Sequence, residues 1–342
     1  MTVTAYGDIS PRTAAYAVTE LLKRGLPYLI IEKFGQTYVI PSNSTKTAKW
    51  RRYFLTGATG SAGSGTGDFF TPLSTTPLTE GVTPTGRKLA NQDYTVTLQQ
   101  YGDYVTITDV VMDTHEDPVL QQATEVLGES AAQTIETLRF NVLKAGTNVF
   151  YATGSARASV VDKPTLAMQR QVTTALNRQN GRKLTQVVSS TPNFNKESIE
   201  ASYIGLVHPD HESDIRGMTG FINTKDYGTV TPFESEIGNV EQVRYLNSTV
   251  FAPFPDAGGA KGVMRSTSGT LADVYPIIYL ARDAFGIVPL KGKESIKPMV
   301  VNPKPAPGDP LAQRGTVGWK AWNATVILMD AWMARLEAAA TA

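Results

Sequence analysis

The chain has no cysteine and only three histidines in 342 residues. Without cysteine there is no disulfide, no thiolate metal site and no cysteine nucleophile, so stability rests on burial, hydrogen bonding and assembly. Net charge is also missing: 32 Lys and Arg stand against 31 Asp and Glu, a formal +1. A dedicated nucleic-acid binder would carry a marked basic excess, because phosphate neutralisation supplies much of that affinity. No apolar run approaches the roughly 18 residues of a membrane-spanning helix. The opening Met1-Thr2-Val3-Thr4 has the character of neither a signal nor a transit peptide. Charged residues make up 18%, below the roughly 25% of ordinary globular domains. Thr, Ser, Asn and Gln fill the difference, and with 29 Gly and 20 Pro the composition suits β-rich, extended segments and broad polar contacts.

The charge that is present is unevenly placed. Residues 1–60 hold Arg12, Lys23, Arg24, Lys33, Lys46, Lys49, Arg51 and Arg52 against Asp8, Glu20 and Glu32. Residues 61–118 hold Arg87 and Lys88 against Asp68, Glu80, Asp93, Asp103, Asp109, Asp113, Glu116 and Asp117. Two readings stay open: adjoining surfaces that neutralise each other within one domain, or a basic arm and an acidic loop that meet across subunits and set register. Between them runs Gly57-Ala58-Thr59-Gly60-Ser61-Ala62-Gly63-Ser64-Gly65-Thr66-Gly67, a linker by composition.

From Asn91 to Asp113 polar and apolar residues alternate, with Tyr94, Val96 and Leu98, then Val105 and Ile107. Period two in Thr, Val, Ile and Tyr predicts strands, with a turn expected at Gly102. Asp117-Pro118 then offers a helix N-cap and first residue. The apolar positions Val119, Leu120, Ala123, Val126, Leu127, Ala131, Ile135, Leu138, Val142 and Leu143 predict a long helix to about Ala145, stopped by Lys144 and Gly146. A second helix is expected near Thr165 to Arg178, strands at Leu184–Ser190 and Tyr203–Val207, and a short helix to Arg216. Residues 219–262 read as loop-rich, and strands return around Pro276 to Leu290. There is no internal repeat.

Motifs for catalysis fail on inspection. Gly60-x-x-x-x-Gly65 has the spacing of a phosphate loop, but Thr66 stands where that loop needs Lys. No nucleophile elbow or kinase signature occurs. His208-Pro209-Asp210-His211-Glu212 is the one cluster that resembles a metal or acid–base site. Its histidines are three apart with Pro between, unlike the i, i+4 pair of a helical zinc motif. The structural alternative has His208 ending a strand and Asp210 capping the short helix. The expectation is therefore no catalytic residue, no metal and no cofactor.

Three of the four tryptophans, Trp319, Trp322 and Trp332, fall near the C-terminal end. Chain ends are usually poorly ordered unless tied down, so aromatics there predict a buried terminus. The segment Asp309 to Leu336 resembles the C-terminal part of tailed-bacteriophage major capsid proteins of the N4-like subgroup, built on the Hong Kong-97 (HK-97) type fold. Further blocks follow in the family's order. Pro77 to Pro84 with the Tyr94–Thr108 strands resembles its extension loop, and Asp117–Ala145 its spine helix. Val207-His208-Pro209-Asp210 through Arg216, Phe233–Gly238 and Val243-Arg244 resemble its axial domain, and Leu290-Lys291-Gly292 with Pro298–Pro303 its return.

The resemblance implies an α+β fold divided into an N-terminal arm (1–55), an extension loop (56–115) with a β-hairpin, a peripheral domain with the spine helix (116–184), an axial domain (185–274), and a return to the peripheral domain with the C-terminal segment (275–342). It implies self-assembly as hexamers and pentamers into an icosahedral shell around double-stranded DNA, held by non-specific contact. A separate scaffolding protein and a portal protein are implied partners, with room for a decoration protein and no role for a membrane. The implied location is the virion, assembled in the bacterial host cytoplasm, and no N-terminal cleavage is expected. Lys46, Lys49, Arg51, Arg52, Arg87, Lys88, Asp93 and Asp103 are the expected inter-subunit contacts of arm and loop. The rival readings are an encapsulin-like nanocompartment shell, a metal-dependent hydrolase using His208 and His211, and another virion part such as a tail or decoration protein.

Overall fold

The computed structural model describes residues 29–41, 44–55, 77–84, 86, 89–109, 119–184, 201–227, 231–289, 297–301, 310–311 and 313–342. The Gly-rich tract 57–67, Arg87, Lys88, the Asp117-Pro118 cap and residues 185–190 of an expected strand lie outside them. In chain order the strands are β1 (Gln36–Thr37), β2 (Thr47–Leu55), β3 (Leu89–Thr97), β4 (Gln99–Thr108), β5 (Val149–Tyr151), β6 (Tyr203–Val207), β7 (Phe221–Asn223), β8 (Glu236–Val240), β9 (Val243–Asn247), β10 (Val274–Leu280), β11 (Phe285–Ile287), β12 (Lys297–Val301), β13 (Arg314–Asn323), β14 (Thr325–Ile327) and β15 (Met333–Ala339). The α-helices are α1 (Val119–Lys144), α2 (Leu166–Arg178) and α3 (Glu212–Arg216).

The largest sheet runs β5-β15-β10-β6-β9-β8-β7 and mixes parallel with antiparallel pairs. Its strands β6, β10 and β15 are buried at every position; β6 and β10 are apolar and aromatic, as cover on both faces favours, while β15 buries Arg335 and Glu337 as an ion pair joined by Arg157. A second sheet, β12-β13-β4, is antiparallel throughout. A small sheet β1-β11-β14 and the two-stranded β2-β3 complete the set. The C-terminal stretch serves both larger sheets: β12 and β13 lie in one, β10 and β15 in the other.

Helix α1 follows the predicted span, and its 26 residues rise about 39 Å at 1.5 Å per residue. Leu127, Ala131 and Ile135, four apart on one face, pack against Ile107, Val317, Trp319 and Ala321 of the β12-β13-β4 sheet. Further along, Phe140 and Leu143 enter a different core with Leu206, Leu246, Ile278, Leu280 and Phe285. Phe140 stacks on Phe251 at 4.9 Å between ring centres. The second predicted helix is also present as α2. Its N-cap Thr165 accepts from the Met168 N–H, and Asn180 beyond its end takes φ 53°.

Between the two apolar patches of α1 sit Glu136 and Arg139, both buried. Glu136 Oε1 accepts the backbone N–H of Ile30 at 3.0 Å and of Ile31 at 2.7 Å. Arg139 bonds Glu32 at 2.9 Å and lies 3.8 Å from Glu136. The turn Ile31–Phe34 is thereby fastened to α1, and Phe34 meets Phe233 edge-on at 5.4 Å. Burial raises the Glu136 carboxyl to about 7, against the pull of the two N–H groups and Arg139.

Two expectations are corrected. Gly102 makes no turn: it lies inside β4, facing Lys320. A Cβ there would come within 2.7 Å of the Trp319 carbonyl, so glycine marks a close approach of backbones. The break falls at Leu98, where the chain leaves β2 for β13. The second is one of detail: residues 219–262 are loop-rich as expected, but they also carry strands β7, β8 and β9, which the sequence did not announce. Strands β8 and β9 are joined through Glu241 and Gln242, with Glu241 at φ 50°. That two-residue hairpin lacks the Asn-Gly or Asp-Gly signal by which such turns are read.

Two measurements test this architecture. Phe140→Ala is expected to cost about 3–5 kcal/mol of unfolding free energy by urea titration. Val126→Ala, at an exposed position on the same helix, should stay within about 0.5 kcal/mol. For Glu136, the folded chain holds its proton up to about pH 7, whereas an unfolded glutamate releases it near ~4.3. Native protein therefore binds more protons between those values, and stability falls as pH rises through the window. Glu136→Gln keeps the acceptor for Ile30 and Ile31, so it should abolish that slope and match or exceed the parent at pH 8. Glu136→Ala strands two buried N–H groups and should lose about 1–3 kcal/mol at any pH.

Candidate functional site

Strands β2 and β3 form one antiparallel hairpin in which Arg51 stands opposite Asp93. Arg51 donates to both oxygens of Asp93, at 2.7 and 3.0 Å, and Lys49 donates to one at 3.0 Å. These bonds, Arg51 first, hold the Asp93 carboxyl well below the usual carboxylate range. All three side chains are exposed, so the triad fixes cross-strand register more than it stabilises. Basic and acidic segments thus meet within one chain at Asp93. Lys46 and Asp103 are exposed and form no ion pair among the described residues; Asp103 Oδ1 accepts the N–H of Tyr104 at 2.8 Å. Arg52 points to the other face, half-buried, with a guanidinium nitrogen 2.8 Å from the Met329 sulfur. Arg87 and Lys88 lie outside the described residues.

The three C-terminal tryptophans occupy different environments. Trp319 is 4% exposed and packs in the layer between β13 and α1. Trp322 is half-buried at the root of the hairpin, with Ile40, Ala48, Leu98 and Ala324. Trp332 donates its indole N–H to the Gln179 carbonyl at 2.9 Å. It lines a concavity of about 290 Å³ with Trp50, Tyr94 and Met329, where the hairpin meets the body.

The His208 cluster is organised for packing. His208, not Asp210, caps the 3-10 turn Pro209–His211 that leads into α3: its Nδ1 accepts the Asp210 N–H at 3.2 Å. Asp210 instead accepts from the Tyr275 hydroxyl at 2.6 Å and pairs with Arg265 at 3.1 Å. Pro209 takes the first position of the turn, which leaves the preceding His208 extended and free to cap. His211 is fully buried, edge-on to Tyr275 at 5.0 Å, and burial pushes its pKa down. Among the described residues no three His, Asp or Glu groups converge in a way that could hold a metal ion.

A surface that sequence reasoning did not single out lies on the outer face of the β12-β13-β4 sheet. There Met299, Gly318 and Tyr104 are neighbours across three strands. Tyr104 is 68% exposed, Val301 56% and Met299 44%. Gly318 leaves a slot between the flanking side chains, and a Cβ on it would come within 2.8 Å of Tyr104 Cβ. The concavity holds about 450 Å³ and is bounded also by Thr316 and Lys320. The signal for it was the apolar residues Val301 and Tyr104 on the strand face opposite the helix-packed one, visible only once register is known.

The fold described above occurs in known proteins. The capsid of Ralstonia phage GP4 is similar with a TM-score of 0.61 at 13% identity, covering 90% of this chain and 87% of that one. The cyanophage Pam1 capsid gives 0.58 at 14% identity, with 92% of each chain covered. The capsid of cyanophage P-SCSP1u gives 0.57 at 16% identity, covering 92% and 89%. At such identities these likenesses speak for the mixed α+β fold. No curated protein matches the chain. The sequence itself matches the family described as phage capsid protein over residues 92–336. That match spans well over half of the chain and takes in the outer hairpin strand, α1 and both larger sheets, and by it the chain belongs to the phage capsid protein family.

Proposed function

We propose that this capsid protein is the major shell subunit of a tailed bacteriophage of the N4-like subgroup, on a Hong Kong-97 type fold. Hexamers and pentamers of it would close an icosahedral shell around double-stranded DNA. The family match over residues 92–336 carries the reading. In this proposal residues 1–55 are the arm, 56–115 the extension loop, 116–184 the peripheral domain, 185–274 the axial domain, and 275–342 the return. The end of the arm, β2, is paired with β3 of the loop, so the two would act as one piece.

An isolated two-stranded ribbon is marginal in water, and the β2-β3 hairpin exposes Tyr53 and Leu89 at 58% and 59%. Such a ribbon gains stability by lying on a neighbour. Lys46, Lys49, Arg51, Arg52, Asp93 and Asp103, with Arg87 and Lys88, are the proposed contacts there. Asp93 already holds both Lys49 and Arg51, whereas Lys46 is exposed and forms no ion pair among the described residues, so it is the cation most open to a partner. Obligate interfaces of roughly 2,000–5,000 Å² would make subunit stability dependent on assembly by mass action. The near-zero net charge suits a container whose inner wall holds DNA only by non-specific contact. A scaffolding protein, a portal protein and a decoration protein are the further partners in this reading.

Electron microscopy of particles containing this chain, with copy counting, is the test. The expected result is hundreds of copies in a closed icosahedral shell around DNA. Particles filled with protein cargo would favour the encapsulin-like alternative, and a small discrete oligomer would overturn the shell reading.

A further inference from the structure

Strand β4 pairs with β13 along its whole length and, among the described residues, is the outermost strand of its sheet. At the end of that ladder the Asp109 N–H donates to the Gln313 carbonyl at 3.1 Å. Alternation then aims the backbone groups of Asp103, Val105 and Ile107 at β13, and those of Gln100, Gly102, Tyr104, Thr106 and Thr108 outward. The Tyr104 N–H is met locally by Asp103. The others have no backbone partner among the described residues.

Other edges are guarded in the ways natural sheets use. Strand β12, at the opposite edge, carries Lys297 and Pro298. Strands β5 and β7, at the ends of the largest sheet, are three residues long. Strand β2 carries Lys49, Arg51 and Arg52, and β3 has Asp93 with Arg51 and Lys49 gathered on it. By contrast β4 runs for ten residues with no Lys, Arg or Pro, and its single charge is Asp103. Exposed Tyr104 and Val105 flank it on its two faces. An edge of this length and chemistry invites another strand.

We infer that the open edge of β4 receives an extended segment from a second copy of this chain, joined backbone to backbone. This rests on the shell reading, which supplies the second copy. Strand addition of this kind takes affinity from main-chain hydrogen bonds and specificity from alternate side chains. Tyr104 and Thr106 would meet the incoming strand on one face, Val105 on the other. The charge fits: Asp103 is acidic, while the chain's own Lys46, exposed and without an ion pair among the described residues, sits immediately before the extended β2 segment.

The test compares amide hydrogen exchange, resolved by residue, in free subunits and in assembled shells. Amides of Val105 and Ile107 should be protected in both. Those of Gly102 and Thr106 should exchange quickly in the free subunit and slow by about tenfold or more in the shell. Thr106→Pro removes an outward N–H without touching the β13 ladder; it should keep the thermal midpoint of the free subunit and lower shell yield at least about tenfold. Thr106→Ala, which keeps the N–H, should assemble normally. Unchanged exchange at Gly102 and Thr106 in intact shells would overturn the inference while leaving the shell reading in place. So would protection gained only when a different protein binds the finished shell. A parent chain that forms no closed particle would overturn the shell reading, and this inference with it.

Discussion

Helix α1 has to serve two sheets at once, and the described structure is arranged around that demand. Its first half offers Leu127, Ala131 and Ile135 to the β12-β13-β4 sheet, and its second half sends Phe140 and Leu143 into the core under the largest sheet. An apolar stripe with strict four-residue spacing drifts around the helix, because four residues exceed one turn of 3.6. That drift lets one continuous helix face different partners at its two ends. Nothing else among the described elements touches both cores over such a length, so the relative placement of the two sheets depends on it.

The changeover point is where apolar burial alone would fail, and polar residues fill it. Glu136 and Arg139 are buried there, and what they bind is the turn at Ile30 to Phe34. That turn then reaches the segment just before β8, through Phe34 on Phe233 and Lys33 on Glu234 at 3.3 Å. Behind Phe233 lies Arg244, 4.3 Å from its ring and paired with buried Glu236. A buried polar group is costly when unmet and specifying when met. The series therefore fixes where the Ile31–Phe34 turn sits on the body, and leaves Glu136 Oε2 without a hydrogen bond. The raised proton affinity of Glu136 follows from its burial, which outweighs the pull of the Ile30 and Ile31 N–H groups and of Arg139.

What could be read beforehand follows the same logic. The helix α1 was legible because its spacing is dense and sustained over many turns. Strands β3, β4 and β6 were legible from alternation and β-branched content, but their partners were not, since register depends on contacts far apart in sequence. The β8-β9 hairpin was missed because Glu241 adopts a left-handed conformation without a glycine to announce it. Gly102 was misread because a glycine needed for close backbone approach looks, in one dimension, like a glycine needed for a turn. The role given to Asp210 went to His208 for a similar reason: both can cap, and only the geometry after Pro209 chooses. As for the candidate contacts, sequence marked the charges of the hairpin but could not say that Lys49, Arg51 and Asp93 would satisfy one another locally.

That local satisfaction changes where assembly information must reside. Charges that neutralise each other across one hairpin are spent on register and leave little long-range field. Exposed apolar groups carry no such internal partner. Among the described residues many lie on the hairpin and the smaller sheet, at Tyr53, Leu89, Tyr104, Val105, Met299 and Val301, with Val126 on the neighbouring helix, Tyr38 and Val39 beside β1, and Leu78, Val82 and Leu311 on segments outside the strands. In the segments that build the largest sheet only Val263 and Leu271 are comparable. The low content of charge in the sequence is therefore not spread as a uniform lack. One part of the subunit is finished by its own core, and the other is left with unpaired backbone and uncovered side chains on adjoining strands. Under the proposed shell reading, that division would set the part closed by its own core apart from the part left to be covered by another chain.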